Sequence, residues 1–356
     1  MGIFDEMAKL GHEQLIFCHD HPSKLKALIA IHDTTLGPAL GGCRMWPYQK
    51  EEEAWIDALR LARGMTYKSG VSGCDYGGGK SVIWADPAKD KSEELFRALG
   101  LYIEALNGRF ITGTDVGTKS ADFVWSLAET DNIVAAPEEY GGSGDSSIIT
   151  AFGVWKGIKA AVKEGFGSDT LQGRRVALQG LGKVGSRLAK YLADDGAELI
   201  VCDTNPGYVT EVQAKVQVRT VKPEEIYDVP ADVFSPNALG AVINDSTIPR
   251  LKVKVVAGAA NNQLDEPRHG RVLWEKGIVY APDYVINAGG LIQVADELMG
   301  FNRERAYRKA AAIYDALERI FAVSREKRIP SAEAADLLVE EKIRQRGQLK
   351  AMWLPR

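Results

Sequence analysis

The chain has 356 residues, 45% of them hydrophobic and 26% charged, with a formal net charge of -4 and a pI near 5.9. So slight an acidic excess gives no general attraction to nucleic acid or to an anionic membrane, so small molecules are the expected partners. The length is about twice that of a common single domain and predicts two domains with a deep cleft between them.

The N-terminus, MGIFDEMAKLGHEQ, lacks a basic region followed by an apolar stretch, and no apolar run approaches membrane-spanning length, so the chain reads as cytoplasmic. EQLIFC and LKALIAIH read as strands on either side of a Pro-containing turn. Cys18, His19 and His21 in FCHDHP lack two further ligands at a workable spacing, so no metal is expected. Cys18, Cys43, Cys74 and Cys202 are scattered without CxxC spacing, which suits reduced thiols. EEEAWIDALRLARGMTYKSG predicts a helix with Lys68 near its end.

DYGGGKSVIWADP (75–87) resembles the tail of a phosphate loop. That motif needs a glycine where Cys74 stands and a helix after Lys80, whereas SVIWADP predicts a short strand closed by Asp86 and Pro87. The three glycines then read either as a tight turn or as a place where backbone and ligand pack closely around Lys80. A helix over SEELFRALGLYIEALNG follows. RFITGTDVGT then sets Asp115 just after a strand, and glycine and serine cluster in EEYGGSGDSS (138–147) as a hinge or crossover. The expected class is α/β. Residues 1–140 form a mixed α/β substrate, catalytic and oligomerisation domain, 141–330 a Rossmann-like NAD-binding domain, and 331–356 a helical segment returning to the first.

In the second part, RRVALQGLGKVGSRLAKYLADDGAELIVCD reads as strand, glycine turn, helix and strand. Gly180, Gly182 and Gly185 give GxGxxG, and Asp203 ends the following strand. Gly180 permits the tight turn, Gly182 lets backbone approach a pyrophosphate, and Gly185 lets helix pack on strand. Leu181, Lys183 and Val184 complete the cofactor turn. Asp203 would accept from the adenosine ribose hydroxyls and repel a 2′-phosphate, which favours NAD, and hydride transfer is the expected chemistry.

Two lysines and one aspartate, Lys68, Lys80 and Asp115, can bind an anion with one lysine and use the other with the aspartate for proton transfer. Taken singly, Lys68 reads as a solvated helix end and Asp115 as a turn or cap.

Together, GHEQLIFC, IHDTTLGPALGGCRMWPY, GMTYKSG, DYGGGKSVI, LNGRFITGTDVGT, QGLGKVG, VVAGAANNQL and YAPDYVINAGGLIQVADE make the chain resemble the glutamate, leucine, phenylalanine and valine dehydrogenase family over nearly its whole length. Cys74 departs from the family's usual aliphatic residue, and Asn237 from the cysteine often found there. The resemblance implies reversible NAD-dependent oxidative deamination of an L-amino acid and a homo-oligomer. It implies that Lys68, helped by Asn261, holds the substrate carboxylate, that Lys80 activates water, and that Asp115 moves protons to and from the amino nitrogen. It places Thr150, Ala238 and Asn287 at the cofactor, and Leu40, Gly41, Gly113, Leu291 and Val294 at the substrate. Leucine enzymes tend to carry alanine at the position of Gly113 and aromatic-specific ones glycine. Leu291 also resembles the aromatic branch, so phenylalanine is the expected substrate. No further cation appears near the pocket segments for glutamate's side chain. Plain core packing would also account for the pocket positions. Rival readings are a leucine or tryptophan dehydrogenase, a non-catalytic NAD-binding protein, and a 2-hydroxy-acid dehydrogenase. The last needs a histidine base, and His269 reads as a surface-helix residue.

Overall fold

The computed structural model describes residues 2–349; residues 350–356 of the expected C-terminal segment lie outside the described residues. The chain divides into two compact units. The first holds the stretch up to Gly144, then Val294–Asn302, and again the chain from Val339. The second holds Asp145–Gln293 and Arg303–Leu338.

In the first unit, α1 (Ile3–Leu10) precedes β1 (Gln14–Asp20), β2 (Leu25–Asp33), β3 (Ala39–Leu40), β4 (Cys43–Trp46), α2 (Glu51–Val71), β5 (Gly77–Trp84), α3 (Glu93–Glu104), β6 (Phe110–Ile111) and α4 (Phe123–Ser126). The sheet order is β1-β2-β5-β3-β6, with β4 also on β5. β1, β2 and β5 run antiparallel to their neighbours in turn, whereas β3 and β4 lie parallel to β5, so the sheet is mixed. α2 opens on Glu51, Glu52 and Glu53 and closes on Lys68, charges that complement the helix dipole. Its buried face of Ala54, Trp55, Ala58, Leu59 and Ala62 packs with Leu28, Ala30 and Val82 of the sheet. On the other side, Ile29, Ile31, Phe96, Leu99, Phe110 and Phe123 build a second core layer.

The structure settles what the GGG triplet does: Gly77, Gly78 and Gly79 lie inside β5 and form no turn. A Cβ on Gly79 would sit 2.7 Å from the Phe110 ring, and one on Gly78 would strike Thr66 and Ala62 of α2. Helix and neighbouring strands approach this strand too closely for any side chain, a reason that short-range turn chemistry does not contain.

In the second unit, α5 (Ser147–Phe166) leads into β7 (Arg175–Gln179), α6 (Lys183–Asp194), β8 (Glu198–Cys202), α7 (Pro206–Gln213), β9 (Val218–Thr220), β10 (Val233–Pro236), β11 (Val255–Val256), α8 (Arg268–Glu275), β12 (Val279–Tyr280) and α9 (Asp283–Ile286). The strands are all parallel in the order β12-β11-β10-β7-β8-β9. That order reverses between β7 and β10, the switch point at which a doubly wound sheet opens a crevice beyond its carboxyl ends. α10 (Gly289–Glu297), α11 (Arg303–Ala311), α12 (Ile313–Lys327) and α13 (Ser331–Leu349) complete the described chain, which passes between units within α10 and within α13. Among the described residues no helix is long and apolar enough to cross a membrane. Cys18, Cys43, Cys74 and Cys202 are all buried, and none of them forms a disulfide.

Candidate active site

Lys80 stands on β5 opposite Ala30 of β2, its side chain 6% exposed. Asp115 follows β6 in a turn pinned to β4: its N–H donates to Thr118 Oγ1 at 3.0 Å, and that hydroxyl donates to the Cys43 carbonyl at 2.9 Å. The stretch 111–116 runs alongside 41–45 through Gly41 N to Ile111 O, Cys43 N to Gly113 O and Met45 N to Val116 O. This pairing carries Asp115 to the lysine, where Lys80 Nζ donates to Asp115 Oδ2 at 2.5 Å. Arg44 Nε donates to the same oxygen at 3.3 Å, and Arg44 Nη1 to Asp57 Oδ2 at 2.8 Å. Tyr48 completes the network with a 2.5 Å bond to Asp57 Oδ2. Burial alone would raise the Asp115 carboxyl, but the Lys80 ammonium, its hydrogen bond and the Arg44 guanidinium outweigh it, so the carboxyl lies below its ordinary range. Burial pushes the adjacent Cys43 thiol up to about 12, which keeps it un-ionised. The arrangement is a carboxylate held between two cations, one of them nearly enclosed, and such a pair can exchange protons with a bound substrate.

Lys68 lies in the last turn of α2, and this helix rests directly on the strand of Lys80 at Gly78. Leu40 and Gly113 are buried, and a Cβ on Gly41 would run into the Gly79 carbonyl. At Gly113 a Cβ would meet the Val134 carbonyl oxygen at 2.6 Å and Val134 Cγ2 at 3.1 Å, so packing against the 132–134 segment itself demands glycine there. Val294, also in this unit, is partly exposed on α10.

In the second unit the glycine turn lies between β7 and α6 at the switch point. Gly180 adopts φ +92°, and a Cβ there would meet Ala238, which follows β10, at 2.8 Å. Gly185 presses on the Gly180 carbonyl, while no atom lies within 4 Å of a Cβ placed on Gly182. Gly182 is the N-cap of α6 and brings no side chain to it, which leaves the helix start, with Lys183 and Val184, open to an anion. These residues fit the pyrophosphate of a dinucleotide. Asp203 directly follows β8, and its carboxylate is engaged by backbone: Leu181 N donates to Oδ2 at 2.6 Å and Asn205 N to Oδ1 at 2.7 Å. Asn237 is a brace, donating to Ser235 and accepting from Ala259 N at 2.8 Å. Asn287 Nδ2 donates to Asn261 Oδ1 at 2.7 Å, which brings a residue expected at the cofactor together with one expected at the substrate. Thr150 Oγ1 donates to the Ser146 carbonyl at 2.8 Å, close to Gly290, and Leu291 is buried on α10.

The surface reading of His269 is corrected. The residue does lie on a helix, α8, but is fully buried, with Nδ1 accepting from Glu266 N at 3.0 Å and Nε2 3.3 Å from Asp245 Oδ1. Asp245, Glu266 and His269 are the one group among the described residues whose atoms gather as metal ligands do, and Arg268 already pairs with both acids. Arg44 was missed altogether. GGCRMWP holds no local signal for it, since Arg44 stands there as an ordinary strand residue on β4.

Comparison with known proteins agrees with this geometry. Residues 12–132 match the family described as Glu/Leu/Phe/Val dehydrogenase, dimerisation domain, and residues 141–214 and 207–342 match Glutamate/Leucine/Phenylalanine/Valine dehydrogenase. A leucine dehydrogenase of Geobacillus stearothermophilus is 55% identical over 343 residues, covering 96% of this chain and 94% of that one. A phenylalanine dehydrogenase of Caldalkalibacillus thermarum is 53% identical over 357 residues, covering 99% and 96%. The crystal structure of L-tryptophan dehydrogenase from Nostoc punctiforme superposes with a TM-score of 0.88 at 44% identity, covering 97% of this chain and 99% of that one. Fold and site thus define an oxidoreductase class, the amino-acid dehydrogenases. Within it, the chain belongs to the Glu/Leu/Phe/Val dehydrogenase family.

Proposed function

We propose that the protein catalyses the reversible NAD-dependent oxidative deamination of an apolar L-amino acid, with L-phenylalanine, giving phenylpyruvate and ammonia, as the preferred substrate. The observation that carries the reading is the 2.5 Å Lys80–Asp115 pair in a chain of this family. A bound nicotinamide would supply the acceptor for the hydride leaving the amino acid's Cα. Lys68 and Asn261 hold the substrate carboxylate. Lys80 activates the attacking water and, in reverse, polarises the keto oxygen. Asp115 carries protons to and from the amino nitrogen. Gly180, Leu181, Gly182, Lys183, Val184 and Gly185 hold the pyrophosphate, with Ala238, Thr150 and Asn287 at the rest of the cofactor. The Asp203 carboxylate beside the turn opposes a 2′-phosphate, which supports NAD over NADP.

Phenylalanine is supported by Gly113 and Leu291, the types of the aromatic-specific branch. Leucine is the second reading, since the first relatives include leucine dehydrogenases at 55% and 54% identity. Apolar pockets separate such substrates by only about 1–3 kcal/mol per methylene, so several will turn over. A homo-oligomer is supported by the dimerisation-domain match, by β1 as an edge of its sheet, and by Phe17 on it, 50% exposed.

Initial rates of NADH formation at alkaline pH across phenylalanine, tyrosine, tryptophan, leucine, valine and glutamate test the proposal, with NADP run in parallel. The highest kcat/KM is expected for phenylalanine with NAD. A maximum at leucine would retain the catalytic roles and overturn the pocket reading, and no turnover at all would leave a cofactor-binding protein without catalysis.

A further inference from the structure

We propose that Arg44 is a positioning residue for the reaction, a guanidinium fork anchored on Asp57 that fixes the Asp115 carboxylate against Lys80. The proposal rests on the reading of Asp115 as the proton carrier. Arg44 faces Val82 in the parallel pairing of β4 with β5, and so emerges on the sheet face that Lys80 shares two residues back along β5. From there its two ends are committed. Nη1 is tied at 2.8 Å to Asp57 of α2, whose oxygen also takes the Tyr48 hydroxyl, and Nε reaches Asp115 Oδ2 at 3.3 Å.

An ammonium is a point charge with rotatable donors, so Lys80 attracts the carboxylate without fixing its rotation, whereas a planar guanidinium held at its far end restricts the direction from which it is met. The Arg44, Asp57 and Asp115 side chains are 23%, 27% and 24% exposed. These side chains are half-buried, so the network also contributes to the fold, and thermal unfolding separates that contribution from a loss of rate. Misplacing a catalytic group by about 1 Å costs on the order of 10²-fold in rate. The groups facing Asp115 are Lys80 from β5 and Arg44 and Cys43 from β4, with Asp57 of α2 and Tyr48 behind Arg44.

The test compares Arg44→Gln, Arg44→Lys and Asp57→Asn with the unaltered enzyme in kcat, KM for NAD, pH profile and thermal unfolding, with Asp115→Asn alongside. Arg44→Gln is expected to lose kcat on the order of 10²-fold with KM for NAD unchanged. The acid limb of its kcat/KM profile should move to higher pH, because one of the cations opposing protonation of Asp115 is gone. Arg44→Lys should restore the limb but not the rate, since charge returns without the fork. Asp57→Asn, which keeps an acceptor for Arg44, should fall between. An Arg44→Gln enzyme within about twofold of the unaltered kcat, its acid limb in place, overturns the proposal. Should Arg44→Gln fail to fold, Arg44→Lys and Asp57→Asn carry the same comparison: full kcat in both overturns it, and the predicted split upholds it. An Asp115→Asn enzyme that keeps its kcat removes the proton-carrier reading itself, whereas a dead Asp115→Asn beside a fully active Arg44→Gln removes Arg44 alone.

Discussion

Gly113 shows how one atom can carry two explanations. A missing methyl enlarges a substrate pocket, but here it also lets the chain pass the Val134 carbonyl, which a Cβ would approach to 2.6 Å. Gly113→Ala is therefore expected to destabilise the fold by about 1–3 kcal/mol besides altering substrate preference. Thermal unfolding measured together with the phenylalanine to leucine ratio of kcat/KM separates the two effects: an altered ratio at unchanged Tm would remove the packing explanation. Lys80 and Asp115, which the structure brings together at 2.5 Å, were picked out through the family resemblance of their stretches, since each taken singly has an ordinary packing or capping reading. Arg44 was not, because the contact that gives it meaning closes across 71 positions of chain, and an arginine on a strand looks alike with or without it. Asp203 was legible as a position just after β8, but not in its bonds, since its carboxylate turns inward to the Leu181 amide.

Local pattern predicted α2, α3 and α6 from their amphipathic periodicity, and β1, β2, β7 and β8 as short apolar runs, of which β2, β7 and β8 are buried on both faces. It failed at the start of β5, where three glycines imitate a turn. Strand structure there is imposed by Phe110, Ala39 and α2, whose surfaces leave no room for side chains. Gly79→Ala should accordingly lower stability by about 1–3 kcal/mol through the Phe110 contact, although alanine has no backbone objection to a strand. The midpoint of urea unfolding checks this, and an unchanged midpoint would mean that the aromatic ring yields freely. Helix α8 failed differently: its polar sequence DEPRHGR suggested exposure, yet His269 is fully buried because Glu266 and Asp245 satisfy its ring nitrogens.

For the whole molecule, the mixed sheet of the first unit and the parallel sheet of the second followed from strand and helix patterning. The return of the chain to the first unit at Val294–Asn302 did not, since nothing in GGLIQVADELMG marks a change of unit. Stability of the whole should also depend on pH through His12 and His32, whose rings meet edge to face at 4.8 Å beneath α2. Burial lowers both from 6.5 to about 4. Below pH 6.5 the unfolded chain takes up protons that the folded chain refuses until about pH 4, so stability is full above this window and is lost as pH falls through it. His32, the more enclosed, should account for on the order of 2 kcal/mol of that loss, and His12 for less. Urea midpoints at about pH 7.5 and about pH 5 should diverge less in His32→Gln than in the unaltered chain, and equal divergence would clear His32 of any part in the loss.

The buried cysteines have a use that chemistry alone did not assign them. Burial pushes Cys18 and Cys202 up to about 12, as it does Cys43, so the folded chain offers alkylating reagents neither access nor thiolate there. Cys18, Cys43 and Cys74 belong to the first unit and Cys202 to the second. Any label acquired under native conditions thus records an opening event, and the peptide that bears it names the half of the enzyme that opened.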